Sequence, residues 1–258
     1  PSGKVVRPQR SDQVAGGVSV LLGKQFLLSD EVYYKWMNRQ VDFRDGAQIF
    51  FNDDLDGEFV FGKGWGYGNE IYLEKKRGPG KGIFDRLSGW VGYTLAWNWR
   101  QFDDINSGNK FHPRFDRRND ITVVLIEDLG KRLSVSATWV YGTGNAVTLP
   151  IAWMVASDPV PGNDINIVPI YTERNSFRMP SYHRMDVGVV YNILPKWGES
   201  DITLSVYNAY NRRNAYFLYF DTETETIPGT GITTLTGFAV KQVSLFPIIP
   251  SLTWNFKF

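Results

Sequence analysis

Apolar and polar residues alternate with a period of two along much of the chain. The last segment shows this most clearly, since Leu252, Trp254, Phe256 and Phe258 share one parity. Such alternation is typical of β-strands that have one apolar and one polar face. The nine predicted strands are Val14–Leu22, Leu28–Met37, Trp65–Lys75, Val91–Trp99, Ile121–Glu127, Leu133–Tyr141, Arg184–Tyr191, Ile202–Tyr207 and Ser251–Phe258.

The connections between these strands alternate between short and long. The short ones are Gly23–Gln25, Arg77–Arg86, Gly130–Lys131 and Pro195–Ser200. The long ones are Asn38–Gly62, Phe102–Phe115, Gly142–Tyr182 and Asn211–Gly237. In an antiparallel sheet this order places every long loop at the same end, which is typical of outer-membrane barrels with short periplasmic turns. The pattern predicts an all-β chain that forms a transmembrane antiparallel β-barrel.

Composition agrees with a barrel and excludes a helical membrane protein. Aromatic residues make up 15% of the chain, mean hydropathy is −0.26, and no apolar run approaches the length of a membrane-spanning helix. The predicted topology places aromatic side chains near both membrane interfaces. The outer set is Trp36, Trp65, Trp97, Trp99, Trp139 and Tyr141, and the inner set is Tyr191, Trp254, Phe256 and Phe258.

Charge and cysteine content remove further classes. The chain has 28 basic and 27 acidic residues, so the basic excess expected of a nucleic-acid binder is missing. It has no cysteine, which excludes disulfides and thiolate metal sites. No catalytic residue, metal site or cofactor is predicted.

The predicted strand count of nine is odd, whereas complete single-chain bacterial barrels use even numbers. An unpaired strand edge inside lipid would also leave backbone groups unsatisfied. Residues 1–258 are therefore predicted to form the C-terminal portion of a barrel domain, completed by an N-terminal portion of the same protein.

Several segments resemble the TonB-dependent receptors of Bacteroidetes. They are Glu31–Lys35, Gly62–Gly68 with Glu70, Phe115–Ile121, Met179–Asp186, Val206–Arg212 and Lys241–Pro250. The resemblance runs from about Gln13 to the C-terminus, and it departs from the family pattern at Asn119, where the family usually has His.

The resemblance implies a 22-stranded barrel that is closed by an N-terminal plug domain. It implies transport of a nutrient across the Gram-negative outer membrane, driven through TonB contacts outside this chain. The implied partners are the N-terminal barrel and plug portion, TonB, outer-membrane lipids and, as in some Bacteroidetes relatives, a surface lipoprotein lid. It also implies that the barrel-assembly machinery reads the closing strand of Leu252, Trp254, Phe256 and Phe258.

Two groups of residues are candidates for contacts with plug or substrate. Charged residues at lumen-facing strand positions are the first group: Glu70, Glu74, Arg184 and Asp186. Such side chains face lipid only at a cost, so they are expected to pair with one another, with the plug or with substrate. Residues of the longest loop are the second group: Trp153, Met154 and Tyr171. These could stack on a sugar, grip a peptide, or pack against neighbouring loops.

Two motifs favour structural roles. Glycines at alternate positions, Gly62, Gly64, Gly66 and Gly68, lack the spacing of a phosphate-binding loop. They predict a side-chain-free stripe on the lumen face, open to close packing of Trp90 or the plug. The segment Asn52–Gly57 matches the opening of a calcium loop, but Lys63 occupies the position of the bidentate glutamate, so an acidic loop is the simpler interpretation.

The two histidines, His112 and His183, have no nucleophile elbow near them and predict no catalytic triad. Two other function classes stay open from the residues alone. One is a plug-less outer-membrane channel or scaffold barrel, and the other is a soluble, aromatic-rich β-protein that binds glycans.

Overall fold

The computed structural model describes residues 6–47, 50–156, 166–193, 198–231 and 233–257. The strands are β1 (Arg10–Leu22), β2 (Phe26–Phe43), β3 (Phe59–Lys75), β4 (Leu87–Phe102), β5 (Asn119–Asp128), β6 (Leu133–Gly142), β7 (Ala146–Val147), β8 (Ala152–Ala156), β9 (Asn166–Ile170), β10 (Phe177–Arg178), β11 (Tyr182–Ile193), β12 (Glu199–Tyr207), β13 (Phe217–Thr226), β14 (Thr233–Val243) and β15 (Ile249–Lys257). Three short helical turns accompany them: Leu55–Glu58, α1 (Ile83–Arg86) and Asn106–Gly108. Within the described ranges, no helix has the length and apolarity to cross a membrane.

One antiparallel sheet of nine strands organises the chain, in the order β1-β2-β3-β4-β5-β6-β11-β12-β15. These nine strands are the ones that the alternation predicts, so the all-β antiparallel fold is confirmed. The remaining strands form three two-stranded ribbons, β7 with β10, β8 with β9, and β13 with β14. All three ribbons lie within the two longest connections. The short connections therefore share one end of the sheet and the long loops the other.

Strand register gives the sheet an apolar outer face and a polar lumen face. Leu73 lies opposite Leu28 and Val91, and Val189 lies opposite Val135 and Leu204, so apolar rows continue from strand to strand. The outer face is strongly exposed: Leu252 by 72% and Val18 by 61%. An apolar surface of this extent is unfavourable in water and is satisfied by lipid.

Strands β2 and β3 continue further than the alternation predicts. The segment Asn38–Gly62 was expected to be entirely loop, but β2 reaches Phe43 and β3 begins at Phe59. The register shifts between Asn38 and Gln40, where Arg39 adopts a positive φ of 56°. Beyond this bulge the strands rise above the apolar belt. The bulge moves the outward-facing positions of β2 from even residues, such as Trp36, to odd ones, Val41 and Phe43, so the period of two is interrupted at Arg39.

The glycine stripe of β3 lies on the lumen face and is covered by neighbouring strands. A Cβ at Gly68 would lie 2.9 Å from the hydroxyl of Tyr33, and one at Gly62 would lie 2.3 Å from the carbonyl oxygen of Gln101. Trp90 was one of the neighbours expected to pack on the stripe. Its ring packs instead on Tyr72, with the two ring centres 5.8 Å apart. The glycines therefore permit close approach between adjacent strands.

A small buried core joins the long loops to the outer ends of the strands. It consists of Val60, Phe102, Ile105 and Phe111, and Ile105 is completely inaccessible to solvent. At the outer ends of the strands, lipid tails do not pack against the side chains, so the loop side chains pack against one another. This core gives the loops at the barrel mouth a fixed base.

Candidate functional site

The part of the connection between β6 and β11 around Arg174 and Arg178 folds back over the lumen side of the sheet. The guanidinium of Arg174 donates to Oδ1 of Asp42 at 3.0 Å and to the carbonyl oxygen of Phe43 at 2.9 Å. Asp42 lies on the lumen face, because its cross-strand neighbour Val60 shares the parity of Gly62. Three strands separate β2 from β6, where this connection starts. The base of the loop therefore lies across the mouth of the wall and narrows it.

A second arginine of the same loop binds a buried carboxylate. Arg178 Nη2 donates to Oδ2 of Asp116 at 2.5 Å, and its Nη1 donates to the Asp116 carbonyl oxygen at 2.7 Å. The Asp116 side chain is fully buried, and its Oδ1 accepts from the backbone N–H of Asn98 at 2.7 Å. A buried charge needs such partners, so this contact fixes the loop against the connection between β4 and β5.

Trp153 joins the two longest loops to each other. Its ring lies 4.9 Å from Phe238 and 5.3 Å from Phe220, which belong to the ribbon β13–β14. Met154 and Tyr171, the other two loop candidates, are 53% and 55% exposed. The structure therefore places Trp153 in packing between loops and leaves Met154 and Tyr171 open to a ligand or partner.

Two of the four charged lumen candidates form one cluster. Arg184 Nε donates to Asp186 Oδ2 at 3.0 Å, and Nη1 donates to the hydroxyls of Tyr207 at 2.7 Å and Tyr182 at 2.9 Å. The guanidinium also lies 4.1 Å over the Tyr207 ring. A cavity of about 240 Å³ adjoins this cluster, and Tyr216 and Phe246 contribute to its lining. Its polar groups already bond to one another, so they hold the wall together here.

The other two candidates lie elsewhere on the lumen face. Glu70 lies opposite Glu31 and Thr94, whereas Glu74 lies opposite Trp90. Strands β4, β5 and β6 separate them from β11, so the structure does not bring the four charges together. None of the ion pairs among the described residues involves Glu70 or Glu74.

The closing strand presents its aromatic side chains on the outer face. Trp254 is 64% exposed and Phe256 is 54% exposed, and their rings lie 5.2 Å apart. Leu252 lies opposite Leu204 of β12, on the same face. Phe258 lies outside the described residues. In the described part of the chain, the second edge of β15 has no strand partner.

The predicted outer aromatic set lies in two groups on the outer face. Trp36, Trp65, Trp97 and Trp99 lie side by side on β2, β3 and β4. Trp139 and Tyr141 stack on each other on β6, with ring centres 6.0 Å apart. Lys110 and Arg118, which the sequence pattern does not connect with these rings, lie over Trp65 and Trp97. No local signal marks them, because they reach the rings from a loop.

The acidic loop and the two histidines have protein partners. Asp54 caps the turn Leu55–Glu58 by accepting from the Gly57 N–H at 3.3 Å. His112 stacks on Trp99 with ring centres 3.8 Å apart, and His183 Nδ1 lies 2.8 Å from the Tyr210 hydroxyl. These contacts give each group a structural role at the outer ends of the strands.

Solved structures that share this fold include two transport proteins of the outer membrane. One is the ferric-catecholate import receptor Fiu of Escherichia coli K12 in its closed form, with a TM-score of 0.54 and 16% identity. The other is the outer-membrane transporter YddB of Escherichia coli, with a TM-score of 0.54 and 11% identity. Each similarity covers 97% of this chain, but only 28% of the receptor and 33% of the transporter. No family model and no curated protein sequence matches the chain.

The similarity establishes the fold as the wall of an outer-membrane β-barrel. A wall of this kind crosses the outer membrane with its apolar face toward lipid, as the exposed outer face requires. The chain spans about a third or less of the length of each of these structures.

Proposed function

We propose that this chain forms the C-terminal part of the barrel of a TonB-dependent receptor that carries a nutrient across the outer membrane. The observation that carries the proposal is the nine-stranded wall itself, which aligns over 97% of its length with an import receptor and a transporter. The sequence motifs support the more specific part of the proposal, that the receptor is TonB-dependent and of the Bacteroidetes type. Such a barrel would have 22 strands and a plug.

The partners follow from the same proposal. The outer edges of β1 and β15 are unpaired among the described residues, and lipid cannot satisfy their backbone groups. We infer that strands of the N-terminal portion pair with both edges and that the plug occupies the lumen beside Glu70 and Glu74. TonB would bind the plug portion, and a surface lipoprotein would cover the mouth. This chain would perform no covalent chemistry.

The inward fold of the loop around Arg174 and Arg178 favours gated transport over passive diffusion. A loop that is fixed by Arg174 and Arg178 across the mouth reduces the open cross-section of the pore. The extensive apolar outer face does not fit a soluble glycan-binding protein, which has no lipid to cover it. The remaining alternative is a plug-less channel, and an experiment must distinguish it from TonB-dependent transport.

Nutrient-limited growth tests the proposal. The complete protein would be expressed in cells with and without TonB, on panels of ferric chelates, glycans and peptides as sole sources. We expect at least one nutrient to support growth only when both proteins are present. Growth that is independent of TonB, together with large steady conductance in planar bilayers, would instead identify a passive channel.

A further inference from the structure

Two rows of aromatic rings cover the outer face near the long loops. Strand pairing aligns Tyr34 with Tyr67 and Trp97, and the next row with Trp36, Trp65 and Trp99. In the first row, ring centres are 6.1 Å and 5.4 Å apart, and both pairs are stacked. This surface lies at the level where a membrane barrel meets the headgroups of the outer leaflet.

Two cations from the connection between β4 and β5 lie over these rings. Lys110 Nζ is 4.7 Å from the centre of the Trp65 ring, and the Arg118 guanidinium is 4.6 Å from that of Trp97. Cations are attracted to the faces of indole rings, which hold them at this height. Both side chains therefore stay on the outer face and do not turn toward the lumen.

The charge of these two cations is only weakly neutralised by the protein. Lys110 is exposed and takes part in no ion pair among the described residues. Arg118 Nη2 lies 3.7 Å from Asp116, a carboxylate that already binds Arg178 and Asn98. Nη1 of Arg118 is buried and has no hydrogen-bond partner in the part of the chain that the structure describes, while the side chain as a whole is 25% exposed. Lys110 therefore offers an anion an exposed donor, and Arg118 adds its positive charge beside it.

A cavity beside Lys110 combines aromatic walls with this positive charge. Its volume is about 280 Å³, and its lining is Tyr34, Trp65, Tyr67, Trp99 and Lys110. A small inorganic anion would use the lysine and leave the aromatic walls without a partner. A ligand that fits both parts has an anionic group attached to sugar rings or acyl chains.

We propose that this surface, the girdle site of Trp65, Trp97, Trp99, Lys110 and Arg118, binds a phosphorylated glycolipid of the outer leaflet. The headgroup phosphates pair with Lys110 and Arg118, and the sugar and the first methylenes of the acyl chains lie on the rings. An imported solute is a poor candidate, because the site faces lipid and not the lumen. This role depends on the barrel fold and goes beyond the proposed transport.

The test compares lipid binding to matched variants of the complete barrel protein in detergent by native mass spectrometry. The probes are bis-phosphorylated lipid A and the same lipid without its phosphates. Lys110→Gln with Arg118→Gln is expected to weaken binding of the phosphorylated probe about tenfold or more, because charge-assisted hydrogen bonds are lost. Lys24→Gln with Lys131→Gln, two exposed lysines of the periplasmic turns, is the control and leaves binding unchanged.

Three outcomes would overturn the assignment. They are equal binding by the double variant and the wild type, equal binding of the two lipid probes, and full competition by millimolar inorganic phosphate. A heat-modifiability gel confirms that each variant is folded, and Lys110→Gln alone replaces the double variant if that one does not fold. The measurement requires no transport, so a failure of the proposed transport function leaves its result valid.

Discussion

Arg178 and Asp116 link the longest loop to the connection between β4 and β5, with Nη2 and Oδ2 2.5 Å apart. Asp116 is fully buried, whereas the Arg178 side chain is 35% exposed. The buried carboxylate therefore needs the arginine as a partner for its charge, whereas the arginine can also be solvated by water. The loop is fixed mainly because Asp116 must not be left without a partner.

Replacing Arg178 with alanine should release this part of the loop. Asp116 would keep the Asn98 N–H at 2.7 Å and more distant contacts with His112 at 3.4 Å and Arg118 at 3.7 Å, and we expect local stability to fall by about 2–3 kcal/mol. Hydrogen exchange of the Asn98 amide, which Asp116 holds, is the measurement. The double variant Arg178→Ala with Asp116→Ala should regain part of the protection, and unchanged exchange in the single variant would contradict this role.

Adjacent residues of β4 should respond oppositely to arginine. Leu95 lies on the outer face, so Leu95→Arg places a charge in lipid at a cost of about 2–4 kcal/mol and blocks stable insertion. Thr94 lies between Glu70 and Asp120 on the lumen face, where Thr94→Arg finds two carboxylates. A heat-modifiability gel after insertion into vesicles distinguishes them. Equal outcomes would show that the two faces are assigned incorrectly.

A polar pair interrupts the outer face at Asp30 and Asn69. The Asn69 amide donates to the Asp30 carboxylate, and Asp30 lies opposite Val18 and Ile71. Because lipid disfavours both groups, Asp30→Leu with Asn69→Leu should stabilise the barrel by about 1–2 kcal/mol in urea unfolding from vesicles. Glu31→Leu, on the lumen face, is the control, and it should not increase the stability of the barrel. No gain in the double variant would mean that the pair contacts water or a protein partner.

Trp153 and Met154 are neighbours whose substitution should separate loop packing from ligand binding. Trp153→Ala removes two ring contacts worth about 0.5–1.5 kcal/mol each, so exchange in β13 and β14 should accelerate. Met154→Ala should leave that exchange unchanged, since Met154 is exposed. If Trp153→Ala abolishes nutrient binding without faster exchange, the tryptophan is a ligand contact and not a packing residue.

Acidification should open the loop between β2 and β3. Hydrogen bonds from Arg44, at 2.5 and 2.8 Å, hold the pKa of Glu58 below its ordinary range. Because the pKa of Glu58 is lower in the folded protein than in the unfolded chain, the ionised carboxylate stabilises the loop above about pH 4.3. That contribution is lost as pH falls through the lower, folded-state pKa. Proteolysis of this loop should rise at low pH, and Glu58→Gln should remove that dependence, whereas Asp53→Asn should retain it.

The wall was predictable because lipid imposes a simple rule on every second residue. Leu95 and Val189 satisfy that rule, and each of the nine predicted strands is present. A bulge at Arg39 changes the parity of the outward positions, which explains why the extension of β2 to Phe43 was missed. The loop ribbons were missed for a different reason, since no lipid selects the faces of β8 or β13.

The contacts at the mouth could not be predicted from local pattern. Arg174 and Arg178 look like any loop arginines in the sequence, and their partners Asp42 and Asp116 lie far away along the chain. Among the four charged lumen candidates, Arg184 and Asp186 are two residues apart, and they do bind each other. Lys110 and Arg118 become candidates for binding only in the folded structure, where β3 and β4 place Trp65 and Trp97 beneath them.

The link between Arg174 and Asp42 also constrains the order of assembly. The two residues are 132 positions apart, and the strands β3, β4, β5 and β6 lie between them along the chain. Contacts of such long sequence separation form late and slowly. During biogenesis, the wall would therefore stand before its loop is seated, and the nascent barrel would pass through a leaky stage. Cells that make this protein must complete that step quickly or shield the pore while it lasts.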